Sequence, residues 1–138
     1  MRFTAVFLFL LCFFSDRSAL AQKGGDLTQS RILILLDESS SMIQTWSNGR
    51  PKYKAADELI IRLMDSIYAV NPQVEFSLRV FGHQHTVAEN NCYDTKNEVA
   101  FSRDNRVQMA YRLEDIKPLG VTAIAYSLTQ AAEFDLKD

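Results

Sequence analysis

No apolar run in the 138-residue chain is long enough to cross a membrane as a helix, which takes about 20 residues. The longest, residues 3–14, holds five of the nine phenylalanines, and its flanks give it another meaning. Arg2 precedes it, a polar Ser15-Asp16-Arg17-Ser18 stretch follows, and Ala19-Leu20-Ala21 closes it with small residues at the right spacing. That order is a secretory signal, with cleavage expected after Ala21. Residues 1–21 are thus read as signal peptide and residues 22–30 as a polar linker. The mature chain, with no membrane span left, is expected to be secreted, periplasmic or at the cell surface. Cys12 follows Leu10-Leu11 instead of a small residue, which argues against lipidation.

Positive charge is also in short supply. Removal of Arg2, Arg17 and Asp16 takes the formal charge from −2 to −3, without the concentrated basic surface that a phosphate backbone requires. Nucleic acid is therefore not an expected partner. Arg50, Lys52 and Lys54 lie beside Asp57 and Glu58 and read as a solvated face. Cysteine is nearly absent, since only Cys92 survives signal removal. In an oxidising compartment a lone cysteine is buried and inert, a reactive thiol, or half of a disulfide. No internal repeat or low-complexity tract appears, and the length suits one small domain.

What is present begins with residues 32–36, Ile-Leu-Ile-Leu-Leu, an unbroken apolar run of the kind expected for a strand buried on both sheet faces. Pro51 is well placed to open a helix over 52–70, in which Ala56, Leu59, Ile60, Leu63, Ile67 and Val70 keep helical spacing. Asn71-Pro72 stops it, and residues 74–81 alternate as a half-covered strand does. Strand, helix, strand implies a crossover and a sheet that is at least partly parallel. Residues 82–104 read as a long polar loop with a short strand near 99–101; loops of this length tend to be functional or disordered. Two further helices are expected, over 105–113 with Val107, Ala110 and Tyr111 inward, and over 123–136 with Ile124, Leu128, Ala131 and Ala132 inward.

The residues best suited to chemistry are Asp37-Glu38-Ser39-Ser40-Ser41. In sheets with parallel crossovers, ligands bind beyond the carboxyl ends of the strands, where Asp37 stands. Asp37, Ser39 and Ser41 alternate, so their oxygens can converge. An all-oxygen set with no His or Cys nearby suits a hard cation, Mg²⁺ first, with Mn²⁺ or Ca²⁺ as alternatives. One carboxylate and two hydroxyls under-neutralise a divalent ion, leaving a position for a further acidic group. The competing role for these serines is to cap the next element or make side-chain turns. His83 and His85 flank Gln84 without the further ligands zinc needs and read as loop hydrogen-bonding groups. Trp46, with Met42 and Ile43, either rims the metal loop or folds back on the sheet edge.

The stretch from Ile34 through Asp37-Glu38-Ser39-Ser40-Ser41 to Met42 resembles the opening strand and metal-ion-dependent adhesion motif of von Willebrand factor type A (VWA) domains. Gly49-Arg50-Pro51-Lys52, Arg79-Val80-Phe81-Gly82-His83, Asn91-Cys92-Tyr93-Asp94-Thr95 and the stretch from Lys117-Pro118-Leu119-Gly120-Val121-Thr122 to Leu128 resemble bacterial exported members, in the same order. The resemblance implies an α/β, Rossmann-like fold over residues 31–138, with a central, mostly parallel sheet flanked by helices and its last strands absent. It places Asp37, Ser39 and Ser41 in the first metal-binding loop and Thr122 in the second, Thr122 having helix capping as its ordinary alternative role. The family's third loop carries an Asp after a later strand, which is expected to be missing here, Asp135 and Asp138 not being that residue. The resemblance also implies a cysteine after that loop, so Cys92 is expected to pair with a residue absent from this chain; the alternative is a free thiol packed under the long loop.

The serines lack the G-x-S-x-G elbow of hydrolases, and the chain has no Gly-rich phosphate loop. The expected function is thus not catalysis. It is an exported adhesion or binding module that engages a carboxylate of a protein partner through the cation. The alternative is a metal-independent scaffolding domain that binds through residues 82–104.

Overall fold

The computed structural model describes residues 30–46 and 49–137. The expected signal peptide and all but the last residue of the linker lie outside the described residues. Strand β1 (Arg31–Asp37) is followed by a 3-10 turn (Ser40–Ile43), helix α1 (Lys52–Val70) and strand β2 (Glu75–Phe81). Strand β3 (Thr95–Ser102), helix α2 (Arg106–Asp115) and helix α3 (Ile124–Gln130) complete the order, α3 running on into a π-helical turn (Ala131–Asp135).

The three strands form one mixed sheet in the order β1-β2-β3. β1 and β2 run parallel, from Arg31↔Glu75 to Asp37↔Phe81, so the chain must cross over between them, and α1 is that crossover. β2 and β3 are antiparallel, with register irregularities around Phe76, Leu78 and Arg79. The architecture is the expected α/β, Rossmann-like one, with helices on both sheet faces.

Alternation along β2 decides what each face carries. Phe76, Leu78 and Val80 pack with Leu36, Val99, Ile60, Met64, Met109 and Leu113 in the core beneath α1 and α2. Burying each such side chain is worth about 1.5–3 kcal/mol. Ser77 and Arg79 take the alternate positions, on the face against which α3 and its π-helical continuation lie. There Arg79, 6% exposed, pairs with Asp135, its Nη2 donating to Oδ1 at 2.8 Å. Asn97 donates to the same oxygen at 2.9 Å.

Several local expectations need correction. The segment 95–102, read mostly as loop, is a full strand. Its pattern is obscure because Lys96, Asn97 and Glu98 serve ion pairs and hydrogen bonds, and Val99 alone is deep in the core. In β1 only Leu36 is fully buried, and Ile32, Leu33, Ile34 and Leu35 are half-buried, since β1 is an edge among the described strands. The helices are only partly covered too. α1 buries Ile60 and Met64 but exposes Leu59, Leu63 and Val70. α2 turns Met109 and Leu113 inward and leaves Val107 and Tyr111 in solvent. Around α3, Ala123, Ser127 and Ala131 face the sheet while Ile124, Leu128 and Ala132 are exposed. An apolar stripe marks the side a helix could bury; how much of it is covered depends on its neighbours. Among the described residues no helix is long and apolar enough to cross a membrane.

Candidate functional site

Three segments are knitted together beyond the carboxyl end of β1 and β2. The Glu38 N–H donates to the Phe81 carbonyl at 2.9 Å, extending the parallel ladder by one residue. The chain then turns, and Ser40 N–H donates to Gly120 O at 2.8 Å. Gly120 N–H in turn donates to Gly82 O at 2.8 Å, and Leu119 N–H reaches Glu38 O at 3.1 Å. This close approach depends on two glycines. Gly82 has φ +77°, and a Cβ there would sit 2.8 Å from Ser39 N, Ser39 Cα and Val121 O. A Cβ on Gly120 would lie 2.3 Å from the His85 carbonyl oxygen. Asp94, 2% exposed, steadies the middle segment, its Oδ2 accepting the N–H groups of Gln84 and His85 at 3.0 and 3.1 Å.

Asp37, Ser39 and Ser41 come together on this frame. Ser39 N–H donates to Asp37 Oδ1 at 2.7 Å, and the Ser39 and Ser41 hydroxyl oxygens lie 3.2 Å apart. Ser39 is buried, Asp37 half-buried and Ser41 exposed, so the set runs from the interior to the surface. Ser39 occupies the position preceding the 3-10 turn but its side chain caps nothing. Thr122 follows the strap that holds Ser40. It is exposed, its hydroxyl makes no hydrogen bond among the described residues, and α3 is preceded by Ala123 in the capping position. Neither Ser39 nor Thr122 serves as a helix cap, while the Ser39 N–H bond to Asp37 Oδ1 is itself a side-chain turn, the other ordinary role of such a stretch. Thr122 makes no direct contact with the other three in this structure; the shared neighbours Gly82 and Gly120 bring its segment beside theirs. The donors are one carboxylate and three hydroxyls, all hard oxygens, and this fits a hard cation. Among the described residues no three His, Cys, Asp or Glu side chains cluster as metal ligands.

Two carboxyl groups here were not singled out by the sequence. Glu38 is 1% exposed and its Oε2 has no hydrogen-bond partner. Burial, together with the Asp57 and Asp37 carboxylates, pushes its carboxyl up to about 8 against the pull of Lys117 and Lys54. Asp57, read as part of a solvated face, has a side chain only 13% exposed, an unpartnered Oδ1 and a carboxyl likewise raised by burial. Lys54 lies 3.5 Å from it and opposes that shift. Helical spacing alone could not find Asp57, because its burial comes from what packs beside α1.

The remaining candidates sit elsewhere. His83 Nε2 is 2.9 Å from Glu98 Oε1 and His85 Nδ1 is 3.6 Å from Glu89 Oε1, so each imidazole faces a different carboxylate. Burial raises the Glu98 carboxyl, but hydrogen bonds from His83, Arg112 and Lys96 outweigh it and hold it below the usual range. Cys92 is a free, exposed thiol, which removes the reading of it as packed under the loop. Trp46 is 65% exposed and does not fold back on the sheet. The loop of 82–104 shrinks to residues 82–94, with a 3-10 turn at Val87–Glu89.

Comparison with known proteins supports this architecture. No family pattern matches the chain, and no curated protein sequence matches it. Among solved structures, it is similar to an uncharacterized membrane-spanning protein from Vibrio fischeri, with TM-score 0.58, 18% identity, and 76% of this chain and 48% of that one covered. It is also similar to the VWA domain of SpRpn10, with TM-score 0.53, 17% identity, and 75% of this chain and 49% of that one covered. The chain spans about half the length of both structures. It has a VWA-like, α/β fold.

Proposed function

We propose that this chain is an exported protein-binding module of the bacterial VWA type. It holds a divalent cation, Mg²⁺ with Mn²⁺ or Ca²⁺ as alternatives, through Asp37, Ser39, Ser41 and Thr122, and engages a carboxylate of a protein partner there. The observation that carries this reading is the placing of the Asp37 carboxylate against the Ser39 backbone N–H at 2.7 Å, with the Ser39 and Ser41 hydroxyl oxygens 3.2 Å apart and Ser39 not used as a cap. Asp37 is fixed by the end of β1, Ser39 by the ladder and by the Gly82 contact, and Ser41 by the 3-10 turn, so the donors need no rearrangement of the sheet. A bound divalent ion would supply a coordination position that an acidic oxygen from a partner can fill.

The test is thermal unfolding of the mature protein with and without added divalent ions. Millimolar Mg²⁺ is expected to raise the melting temperature, because a ligand bound only by the native state stabilises it by mass action. Asp37→Ala should abolish that rise while leaving the metal-free melting temperature close to that of the parent. Equal melting temperatures with EDTA, Mg²⁺, Mn²⁺ and Ca²⁺ would sink the cation reading. Export is tested separately, by whether the protein recovered from the periplasm or medium begins at Gln22.

A further inference from the structure

The 3-10 turn that carries Ser41 leads directly into a short hairpin. Thr45 and Pro51 form an antiparallel bridge, Trp46 N–H donates to Arg50 O at 2.7 Å, and Lys52 N–H donates to Gln44 O at 3.0 Å. These bonds fix the backbone of Trp46 while its indole remains 65% exposed. Beside it lies a groove of about 420 Å³ between the hairpin and α1, with Met42, Trp46 and Leu59 along it. Leu59 is 66% exposed and Ile43, next to Met42, 55%. An apolar patch of this kind on a pinned backbone, rimmed by polar groups, marks an interaction site, and tryptophan is among the side chains that most often dominate binding energy.

The rim says what would bind. Arg50, Lys52 and Arg62 outnumber Glu58, which Arg50 already holds through two hydrogen bonds of 2.6 and 2.7 Å. The rim is thus cationic on a chain whose formal charge is −2, and complementary charge selects partners of the opposite sign. Met42, in the groove, is the residue next to Ser41. We propose that this groove takes an apolar side chain from an acidic protein segment whose carboxylate is engaged at Asp37, Ser39 and Ser41. The inference rests on the cation reading above for its second contact, but the groove itself stands on Trp46 and its surroundings. A segment bound in this way is recognised at two points, a carboxylate and an aromatic or large aliphatic residue. Selectivity among acidic partners comes from the second.

Trp46 is the one tryptophan in the chain, so its emission reports on the groove alone. The probes are short, capped Gly/Ser peptides carrying one Asp and one Phe at a range of separations, each with an Asn-for-Asp and a Gly-for-Phe control. In Mg²⁺, at least one Asp/Phe peptide is expected to give a saturable blue shift of Trp46 emission, and its Gly-for-Phe control to bind about tenfold more weakly, as loss of one buried aromatic contact implies. Trp46→Ala, measured by calorimetry, should lose affinity by a similar factor while keeping the Mg²⁺-induced rise in melting temperature. Peptide binding by Trp46→Ala equal to the parent, or no emission shift with any peptide, overturns the proposal. An emission shift that grows with protein concentration in the absence of peptide also overturns it, because a second copy then covers the groove. Trp46-dependent binding that is lost with the Asn-for-Asp control but persists in EDTA upholds the two-point recognition and overturns the cation reading, whereas binding that persists with the Asn-for-Asp control overturns the acidic partner proposed here.

Discussion

Carboxylates at the carboxyl end of the sheet and those on its α3 and β3 side live in opposite circumstances. Glu38 and Asp57 are buried, each keeps an oxygen without a hydrogen-bond partner, and both carboxyls are raised above their ordinary values. Asp135 and Glu98 are also buried at the side chain, 6% and 3% exposed, yet both are held below their ordinary values. Arg79 and Asn97 serve Asp135; His83, Arg112 and Lys96 serve Glu98. Burial is common to all four, so the difference lies in the donors. Paired carboxylates tie elements together. Glu38, short of a partner, is the residue between Asp37 and Ser39.

The comparison is broken most severely by removing a member of the paired set. Asp135→Ala leaves the Arg79 guanidinium, 6% exposed, without its counter-charge, and truncating one partner of a buried ion pair costs about 3–5 kcal/mol. Chemical denaturation should show a loss of that order. Replacing both residues by leucine should recover most of it, since a buried pair contributes little beyond what an apolar pair of similar volume does. A loss below about 1 kcal/mol, the range of exposed pairs, would mean that the two regions do not differ as described.

Next in size is Gly82→Ala, which disturbs the unpaired end without touching a charge. Alanine would have to adopt φ +77° with its Cβ 2.8 Å from the Ser39 backbone. Left-handed backbone in a non-glycine residue costs about 1–3 kcal/mol before any clash is counted. Destabilisation of at least that size is expected. Because the clash is with Ser39, the Mg²⁺-induced rise in melting temperature should fall as well. A variant as stable as the parent would show that the segments at 38–41 and 82–85 are less tightly locked than their hydrogen bonds require.

How much of this was legible beforehand differs by region, for physical reasons. Strand β1 announces itself as an unbroken apolar run, and helix α1 and strand β2 do so by each keeping one period throughout. The closeness of Ser39 to both Asp37 and Ser41 is local, each two residues away at a strand end, and so was within reach of the sequence. Strand β3 was hidden because Lys96, Asn97 and Glu98 are recruited to pairs with residues far away in sequence, which no local pattern records. Glu38 and Asp57 were missed for the converse reason. Glu38 stands between Asp37 and Ser39 with nothing local to mark it as enclosed, and Asp57, on a helix beside Lys54, reads as solvated; only packing shows that both are buried. Trp46 was open between two roles, and its exposure excludes the one in which it folds back on the sheet edge.

The smallest effect sharpens the comparison through its sign. Asp57 has a raised folded-state value. Its contribution is therefore fully present below its unfolded value of about 4 and lost as pH rises from there through the folded value. For Glu98 and Asp135, with lowered values, stability is present above about 4 and lost as pH falls through the folded values. Acid and base thus strain different regions of one small domain. Asp57→Asn removes the carboxylate but keeps a hydrogen-bonding side chain of nearly the same shape, at the cost of the contact with Lys54, which is 40% exposed at the side chain and can be resolvated. The variant should gain about 0.5–1 kcal/mol near neutral pH and nothing below pH 4, where the parent's Asp57 is already protonated. Urea titrations at several pH values would show the two curves meeting on the acid side and separating toward neutrality. Curves that separate on the acid side instead would place Asp57 among the paired carboxylates and erase the distinction between the two regions.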